Sequence, residues 1–315
     1  MTTLQVGDII ASPGSKATGF LHVPTTQSRM PITLINGAND GPTLLITAGV
    51  HGGEYPPIDA AIRFANELEP AQVSGQVIVV SIVSLSSFHA RQMFLVPDDG
   101  KNLNRQFPGR ALGTISERIA YTLMTEVASQ ADAWVDLHCG DIHEALIPFV
   151  SYFQAEDPAV NAKTRGMMET FGIEYVAKPG RLPGTTTAAG ASIGIPCLLA
   201  EAGNLAELDE ESTQILLHGC RNVARYFNIL PGEAKKQPLI EFTDWPWLRA
   251  EQTGCWYPAV KLGDIVDEGQ MVGIIKDYFG NVIAEYHSPV RGIVLLLFAS
   301  LAVNEGDPLA GIAVE

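Results

Sequence analysis

The sequence contains few cysteines and few basic residues. Its four cysteines, Cys139, Cys197, Cys220 and Cys255, are widely separated and form no C-x-x-C pair. This spacing argues against a disulfide framework and against a zinc site built from cysteines. The 20 lysine and arginine residues are outnumbered by 35 aspartate and glutamate residues, which gives a net charge of −15. Because this charge repels nucleic-acid phosphates and anionic membranes, we expect neither as a partner.

Long apolar stretches are also absent. Residues Met1–Val6 lack the positive charge and the apolar run of a signal peptide. No apolar run approaches the roughly 20 residues that a membrane-spanning helix needs. The run Leu295–Phe298 is so short that it indicates a buried strand. We therefore expect a cytoplasmic protein.

The composition is typical of a folded globular protein. Of its 315 residues, 46% are hydrophobic and 17% are charged, and the length suffices for one large domain and a small one. The segment from Pro231 to Pro238 has the composition of a linker. We predict an α/β domain over residues 1–232 and a small all-β domain over residues 239–315.

Apolar spacing predicts the main elements of the first domain. Residues 4–36 read as antiparallel edge strands, and Thr114 and Glu117 have the spacing of a capping box. Residues 84–113 are rich in Pro, Gly, Asp and Asn and are predicted to form a long functional loop. Further helices are predicted over residues 56–68, 114–130, 157–171, 185–194 and 209–227, and further strands over residues 76–83 and 146–153.

The stretch Thr43–Tyr55 organises the chain. An apolar run of strand length ends in His51, two glycines and Glu54. An imidazole and a carboxylate at the end of a buried strand suit a divalent metal, and the glycines allow the backbone to approach closely. In the alternative interpretation, Glu54 caps the helix that follows.

Two further apolar runs end in residues of similar chemistry. Ala133–His138 ends in an imidazole, and Ile195–Glu201 ends in a carboxylate; each is followed closely by small residues. Open α/β folds place their chemistry at the carboxyl ends of sheet strands. We therefore expect the three strand ends to meet.

A catalytic zinc site is the chemistry that these residues predict. His51, Glu54 and His138 would supply three ligands and leave a fourth position open, as catalytic zinc sites do. We expect one Zn²⁺ per subunit, with Glu201 as the general base that takes a proton from water and returns it to the leaving nitrogen. In the alternative interpretation, Glu201 caps the next segment.

Four short motifs resemble a known family. They are His51-x-x-Glu54, Asn102-Leu-Asn-Arg105, Asp136-Leu-His138 and Glu201-Ala-Gly203, and their order is that of the succinylglutamate desuccinylase/aspartoacylase family, which belongs to the wider zinc carboxypeptidase group. The resemblance implies an α/β fold with a zinc carboxypeptidase-like mixed sheet flanked by helices. It also implies a zinc-dependent amidohydrolase that removes the acyl group from an N-acyl amino acid or a related N-acyl amine.

The resemblance assigns the substrate-binding residues. Asn104 and Arg105 would hold the α-carboxylate of the substrate, because an arginine fork binds a carboxylate through two hydrogen bonds. In the alternative interpretation, Arg105 only holds its loop by pairing with Asp98 or Asp99.

Other residues have less defined roles. Relatives usually carry a further substrate-binding arginine near the position of Pro97, and Arg91 is the nearest candidate to replace it. Arg181 is expected to face solvent, with a substrate contact as the alternative. Asp136 is either a hydrogen-bond acceptor for His138 or a buried residue bonded to backbone.

Three polar residues follow His138 in the next loop. Asp141 and Glu144 near a pocket would favour a cationic group on the substrate. His143 is a conceivable additional metal ligand.

The C-terminal segment changes to short strands with Gly-Asp and Glu-Gly turns. It resembles the small barrel of biotinyl and lipoyl carriers, although Gly280 and Asn281, and no lysine, occupy the expected hairpin tip. We therefore expect a lid or packing module, from which Tyr257, Tyr278 or Tyr286 could reach the active site.

Two other functions share these motifs. A zinc carboxypeptidase acting on peptide C-termini would use the same metal residues, and a metal-binding protein without activity would retain them. For the deacylase, we expect a small-molecule substrate as the partner and allow for a homo-oligomer.

Overall fold

A nine-stranded mixed sheet forms the centre of the computed structural model, which describes residues 2–177 and 182–314. Arg181, for which a position facing solvent was predicted, lies outside these residues. In chain order the strands are β1 (Leu4–Val6), β2 (Ile9–Ala11), β3 (Ser15–His22), β4 (Arg29–Asn36), β5 (Asn39–Ala48), β6 (Ser74–Val80), β7 (Leu95–Val96), β8 (Lys101–Asn102), β9 (Ala133–His138), β10 (Glu144–Leu146), β11 (Phe149–Tyr152), β12 (Tyr175–Val176), β13 (Cys197–Glu201), β14 (Ile240–Glu241), β15 (Trp247–Arg249), β16 (Gly254–Pro258), β17 (Ile265–Val266), β18 (Met271–Lys276), β19 (Val282–His287), β20 (Gly292–Phe298), β21 (Ala302–Val303) and β22 (Pro308–Ala313). The α-helices are α1 (Tyr55–Glu67), α2 (Leu85–Ala90), α3 (Ile115–Thr122), α4 (Pro158–Phe171), α5 (Thr186–Ser192) and α6 (Glu210–Tyr226).

The strand order of the central sheet brings the predicted strand ends together. The order is β14-β12-β11-β13-β9-β5-β6-β4-β3, and β13, β9, β5 and β6 run parallel to one another. All six residues of β9 are buried, as expected for a strand covered on both faces. The carboxyl ends of β5, β9 and β13 therefore lie side by side, with Glu201 directly beside His138 in the register.

Helices cover both faces of the sheet. One face packs against α1, α4 and α6 through side chains such as Phe64, Phe171 and Leu216. The other packs against α3 and the β1–β2 hairpin through Ile119 and Leu4. The predicted mixed sheet flanked by helices is confirmed. No helix among the described residues is both long enough and apolar enough to cross a membrane.

The helix that begins at the capping-box motif changes geometry along its length. The backbone N–H of Thr114 donates to Oε2 of Glu117 at 2.7 Å, which provides the glutamate half of the predicted box. After α3 the chain continues as a π-helical turn over Leu123–Val127 and a 3₁₀ turn over Ala128–Gln130. The predicted helical extent to about residue 130 is confirmed, although only its first part is α-helical.

Two elements differ from their predictions. Residues 84–113 are not wholly irregular, because they contain α2, the β7–β8 hairpin and a 3₁₀ turn over Leu103–Arg105. The six residues of α2 are too few to show a helical period in the sequence. The single strand predicted over residues 146–153 is two strands that belong to different sheets, and they separate at Ile147 and Pro148, where proline removes a backbone donor.

The C-terminal residues 240–314 that the structure describes contain strands without helices. Strands β15, β17, β20 and β22 belong to one sheet, which β10 from the first part of the chain extends in the order β10-β20-β22-β15, with β17 pairing to β20. Strands β16, β18, β19 and β21 form a second sheet with the order β19-β18-β16-β21. Buried side chains such as Trp256, Val272 and Leu309 fill the space between them. This part contacts the rest of the chain through the pairing of β10 with β20 and of β12 with β14. The division at residues 232 and 239 stays a prediction, as does the likeness to a biotinyl or lipoyl barrel.

Candidate metal centre

One carboxylate joins two imidazoles at the ends of β5 and β9. Oε1 of Glu54 lies 2.7 Å from Nδ1 of His51, and Oε2 lies 2.9 Å from Nδ1 of His138. Ligand atoms of these three residues all lie within 4.8 Å of one another, and they are the one such group of metal-binding type that the described residues contain. Although Glu54 precedes α1 as its N-cap residue, its side chain makes no capping hydrogen bond. The alternative in which Glu54 acts as a helix cap is therefore wrong.

Glycines allow the chain to turn tightly between the strand and the ligands. Gly49 has a φ of +62° just after β5, a conformation that favours glycine. A Cβ on Gly52 would lie 2.0 Å from the backbone nitrogen of Phe88 in α2. A Cβ on Gly53 would lie 2.6 Å from Oδ1 of Asp141. The close backbone approach predicted for Gly52 and Gly53 is confirmed.

The second nitrogen of each imidazole faces an oxygen acceptor. Nε2 of His138 lies 2.9 Å from Oδ2 of Asp136, and Nε2 of His51 lies 3.2 Å from Oδ1 of Asn102. An acceptor at Nε2 favours the tautomer with its lone pair on Nδ1, which is the nitrogen that faces Glu54. Histidine ligands in metal sites are commonly held in this way. Both the donor set and its hydrogen-bonded surroundings therefore fit a zinc ion.

The ionisation of Glu54 depends on the two imidazoles beside it, and that of His138 depends on Glu54 and Asp136. Burial raises the pKa of Glu54, but the imidazoles of His138 and His51 outweigh it and lower the value to about 2. Burial also disfavours a charged His138, yet Glu54 and Asp136 raise its pKa well above the usual value. An imidazole that binds protons this readily sets protons and metal in competition for the same nitrogen.

Glu201 ends β13 beside His138 with a free carboxylate oxygen. Its Oε2 is shielded from solvent and has no hydrogen-bond partner in the described part of the chain, so the alternative in which this oxygen caps the next segment is not what the structure shows. Burial raises the pKa of Glu201 well above its usual value; His138 opposes the rise and Glu54 adds to it. A carboxyl group of this kind can accept and return a proton.

The loop that carries Asn104 and Arg105 packs against the start of α5. Oδ1 of the buried Asn104 accepts from the backbone N–H of Thr186 at 2.9 Å. Nη1 of Arg105 donates to the backbone oxygen of Asn104 at 2.6 Å. Asp99 accepts instead from Ser116, so the predicted alternative of an Asp99–Arg105 pair is wrong. Among the described residues Arg105 has no acidic partner within ion-pair distance, which leaves its guanidinium available to a ligand.

Arg91 and His143 do not join the three ligand residues. Arg91 ends α2 with a φ of +51° and lines a cavity of about 450 Å³ with Tyr55, Phe88 and other residues. The ring of His143 packs edge-on against Phe298, with ring centroids 5.8 Å apart.

The three tyrosines considered earlier contact the C-terminal sheets or solvent. Tyr286 is buried against Trp256, and its hydroxyl accepts from the backbone N–H of Glu251 at 2.8 Å. Tyr257 and Tyr278 are exposed.

Two acidic residues lie beside the centre, and neither forms an ion pair with a lysine or arginine in the part of the chain that the structure describes. Asp141 is fully buried and accepts from the backbone N–H groups of Phe94 and Ile142. Burial and the charge of Glu54 raise the pKa of Asp141, and the same causes raise the pKa of Glu144 to about 7. Negative charge therefore accumulates on this side of the centre.

Sequence reasoning missed three residues that support the centre. Thr47 and Thr186 both donate to Asp136, and Asn102 accepts at His51. Asn102 belongs to a motif already identified, so its position next to a metal ligand could have been expected. The two threonines carry no such signal.

Comparison with known proteins identifies the family. The model of the succinylglutamate desuccinylase/aspartoacylase catalytic domain matches residues 40–227. The chain belongs to this family.

Similarity to individual relatives extends over nearly the whole chain. The N-alpha-acetyl-L-2,4-diaminobutyric acid deacetylase of Halomonas elongata is 28% identical over 312 residues, which cover 94% of this chain and 90% of the relative. Among solved structures, the product-bound ectoine utilization protein EutE (DoeB) from Ruegeria pomeroyi has a TM-score of 0.88 at 27% identity and covers 95% of both chains. A succinylglutamate desuccinylase from Silicibacter sp. TM1040 has a TM-score of 0.87 at 26% identity and covers 99% of both chains. Two of these relatives are named for deacylation, one as a deacetylase and one as a desuccinylase, and the two solved structures share this fold.

Proposed function

We propose that this protein is a zinc-dependent amidohydrolase that removes an acyl group from an N-acyl amino acid. The convergence of His51, Glu54 and His138 within 4.8 Å, with Glu201 beside them, is the observation that carries the proposal. These three residues would hold the zinc ion. When bound, zinc would lower the pKa of a coordinated water to about 7 and polarise the amide carbonyl.

Glu201 carries the proton transfers in this proposal. Its free Oε2 takes a proton from the attacking water as the water oxygen bonds to the acyl carbon. The same carboxyl group then gives the proton to the amine nitrogen as the C–N bond breaks. The positive charge of a bound metal would favour the ionised form that begins this cycle.

Asn104 and Arg105 orient the substrate in this proposal. The guanidinium of Arg105, which has no acidic partner among the described residues, receives the α-carboxylate. Asn104 is fixed by its bond to Thr186 and sets the position of the adjacent Arg105. Fixing the substrate near the reacting groups can contribute several kcal/mol, on the order of 7–11 at best.

The substrate class that we favour is an N-acetylated diamino acid. The Halomonas elongata relative is named for such a substrate, whose second amine is protonated at neutral pH. Asp141 and Glu144 support the extension to this chain, because both are acidic, lie beside the centre and form no ion pair with a lysine or arginine among the described residues. An ammonium group would compensate the negative charge that they place there.

The remaining predictions accompany this proposal. We propose that residues 239–315 form a small β domain of the biotinyl/lipoyl-barrel type and that the enzyme is cytoplasmic. Neither statement is needed for the chemistry.

A substrate panel tests the proposed function. Zinc-loaded protein is assayed for acetate release from N-alpha-acetyl-2,4-diaminobutyrate and from N-acetylnorvaline, which has nearly the same shape but an uncharged side chain. We expect hydrolysis of the diamino compound to be faster, to stop on chelation and to return with zinc. Release of C-terminal amino acids from peptides, without acetate release, would instead support the zinc carboxypeptidase. Turnover of neither class by zinc-loaded protein would contradict the proposal and favour a metal-binding protein without activity.

A further inference from the structure

The carboxylate of Asp136 is held by three side-chain donors. Oδ1 accepts from the hydroxyl of Thr47 at 2.5 Å, and Oδ2 accepts from the hydroxyl of Thr186 at 2.6 Å and from Nε2 of His138 at 2.9 Å. Asp136, Thr47 and Thr186 are fully buried, and His138 is nearly so. The acceptor that orients His138 is therefore itself fixed, without solvent between the partners.

The direction of each hydrogen bond follows from the donor inventory. Nε1 of Trp134 lies 2.8 Å from the hydroxyl oxygen of Thr47, and an indole N–H can only donate. The hydrogen of Thr47 is thus left for Asp136. Thr186 must also donate its hydroxyl hydrogen, because an ionised carboxylate only accepts. The chain of bonds ends at His138 with a defined ring orientation.

Thr186 differs from Thr47 in being connected to the loop of Asn104 and Arg105. Its backbone N–H donates to Oδ1 of Asn104 at 2.9 Å. Two residues earlier, the backbone oxygen of Gly184 accepts from the backbone N–H of Phe107 at 3.0 Å. Gly184 also packs against Arg105, where a Cβ would lie 2.5 Å from the backbone oxygen. The start of α5 therefore contacts both the metal side and the loop of Asn104 and Arg105.

We propose that Thr186 is a positioning residue that couples the substrate-carboxylate loop to the affinity of the centre for zinc. Its hydroxyl fixes Asp136, and Asp136 fixes the ring of His138. Its N–H fixes Asn104, so displacement of the loop is transmitted to the metal ligand. This inference rests on the proposed zinc site, but it concerns metal affinity and does not depend on which amide is hydrolysed.

Thr47 provides a matched comparison. It donates to the other oxygen of the same carboxylate and, among the described residues, makes no hydrogen bond to Asn104. Loss of either hydroxyl should weaken zinc binding. Only loss at Thr186 should remove the communication between Asn104 and the metal.

Zinc affinity, measured by competition with a chromophoric chelator in the absence of substrate, tests the proposal. Thr186→Val and Thr47→Val should each weaken zinc binding, within the 10–100-fold range typical when a residue that supports a metal ligand is lost. Thr186→Ser restores the hydroxyl and should bind within a few-fold of the unaltered protein. Thermal unfolding of each variant without metal establishes that it is folded.

A double-mutant cycle tests the coupling itself. Asn104→Ala should weaken zinc binding several-fold in the unaltered background and have little further effect in Thr186→Val, because the connecting residue is already loosened. Asn104→Asp keeps an accepting oxygen and should not weaken binding.

Each outcome of these measurements is decisive. Equal affinity of Thr186→Val and the unaltered protein, failure of Thr186→Ser to recover, or additive effects of the Asn104 and Thr186 changes would overturn the inference. If the unaltered protein binds zinc but hydrolyses no N-acyl amino acid, the proposed function is wrong while the coupling can still be shown. If the unaltered protein binds no zinc, both are wrong.

Discussion

Nδ1 of His138 lies 2.9 Å from Oε2 of Glu54, although His138 ends β9 and Glu54 lies between β5 and α1, far away in the sequence. The other oxygen of the same carboxylate lies 2.7 Å from His51. Because parallel strands β5 and β9 end side by side, the fold alone brings the three residues together.

Removal of His138 should abolish metal binding. His138→Ala leaves two ligand residues, and a zinc site of this type uses three. We expect about one zinc per chain in the unaltered protein and a small fraction of that in the variant, measured by elemental analysis after dialysis.

His143→Ala provides the control for this experiment. His143 lies five residues further on and packs against Phe298, so the variant should retain its zinc. Loss of zinc in His143→Ala to the same extent would contradict our choice of ligands.

The three residues of the proposed metal site were predictable because they lie at the ends of apolar runs. In a parallel sheet, such runs are buried strands whose ends share one edge, so the order of the motifs was enough to place His51, Glu54 and His138 together. Local spacing predicted individual strands and helices, whereas the mixed sheet flanked by helices was implied by the family resemblance.

The supporting residues were not predictable because their partners are remote. Thr47 and Thr186 reach Asp136 from 89 and 50 positions away, and neither lies in a motif. The split of residues 146–153 into β10 and β11 follows from the pairing of β10 with β20, which no local pattern announces. Arg91 lines a cavity with Tyr55 and Phe88, and its part in substrate binding stays a prediction.

Replacement of Glu201 should separate catalysis from metal binding. Glu201→Gln keeps the size of the side chain but cannot accept a proton, and proton transfer by such a group typically contributes 10²- to 10⁴-fold to the rate. We expect kcat to fall by about this factor while zinc content stays unchanged. Full activity in this variant would show that another group is the base.

Arg105 should raise kcat/KM through its contact with the substrate carboxylate. A hydrogen bond to a charged group contributes about 1.5–3 kcal/mol, so Arg105→Ala should lower kcat/KM by roughly 10- to 150-fold. Arg105→Lys should recover only part of the loss, because lysine lacks the planar fork.

A substrate whose α-carboxylate is replaced by a carboxamide tests that assignment. It should be a poor substrate for the unaltered enzyme and lose little more in Arg105→Ala. If Arg105→Ala lowered kcat/KM for the carboxamide as much as for the carboxylate substrate, Arg105 would not contact the carboxylate. Arg110→Gln, which alters an exposed arginine paired with Glu117, should retain normal kinetics.

Addition of one methyl group at Gly52 should disturb the centre more than the same change at Gly53. The new Cβ at Gly52 meets backbone atoms of α2, at 2.0 Å from the nitrogen of Phe88, so the helix must move. At Gly53 it meets the side-chain oxygen of Asp141 at 2.6 Å, which can turn away. Overpacking typically costs about 1–3 kcal/mol, and we expect Gly52→Ala at or above the upper end. Similar free energies of unfolding for the two variants would contradict this reading.

The stability of the metal-free protein should depend on pH through Glu144. Burial and the charge of Glu54 raise the pKa of Glu144 from 4.5 to about 7 in the folded state. The stability that its protonated form contributes is therefore present below about pH 4.5 and is lost as the pH rises through about 7. At 1.36 kcal/mol per pKa unit, the full loss is about 3.4 kcal/mol, of which roughly 2–3 kcal/mol falls between pH 5 and pH 8. Glu144→Gln stays neutral and lacks this loss, so its stability relative to the unaltered protein should increase between pH 5 and pH 8 by about that amount.

Urea unfolding at both pH values in the presence of a chelator measures the change in the stability difference. Glu207→Gln, at an exposed position in the loop after β13, is the control and should differ from the unaltered protein by the same amount at both pH values. If Glu144→Gln behaved as that control does, Glu144 would be ionised at no cost, and the case for a cationic substrate group beside it would lose its electrostatic support.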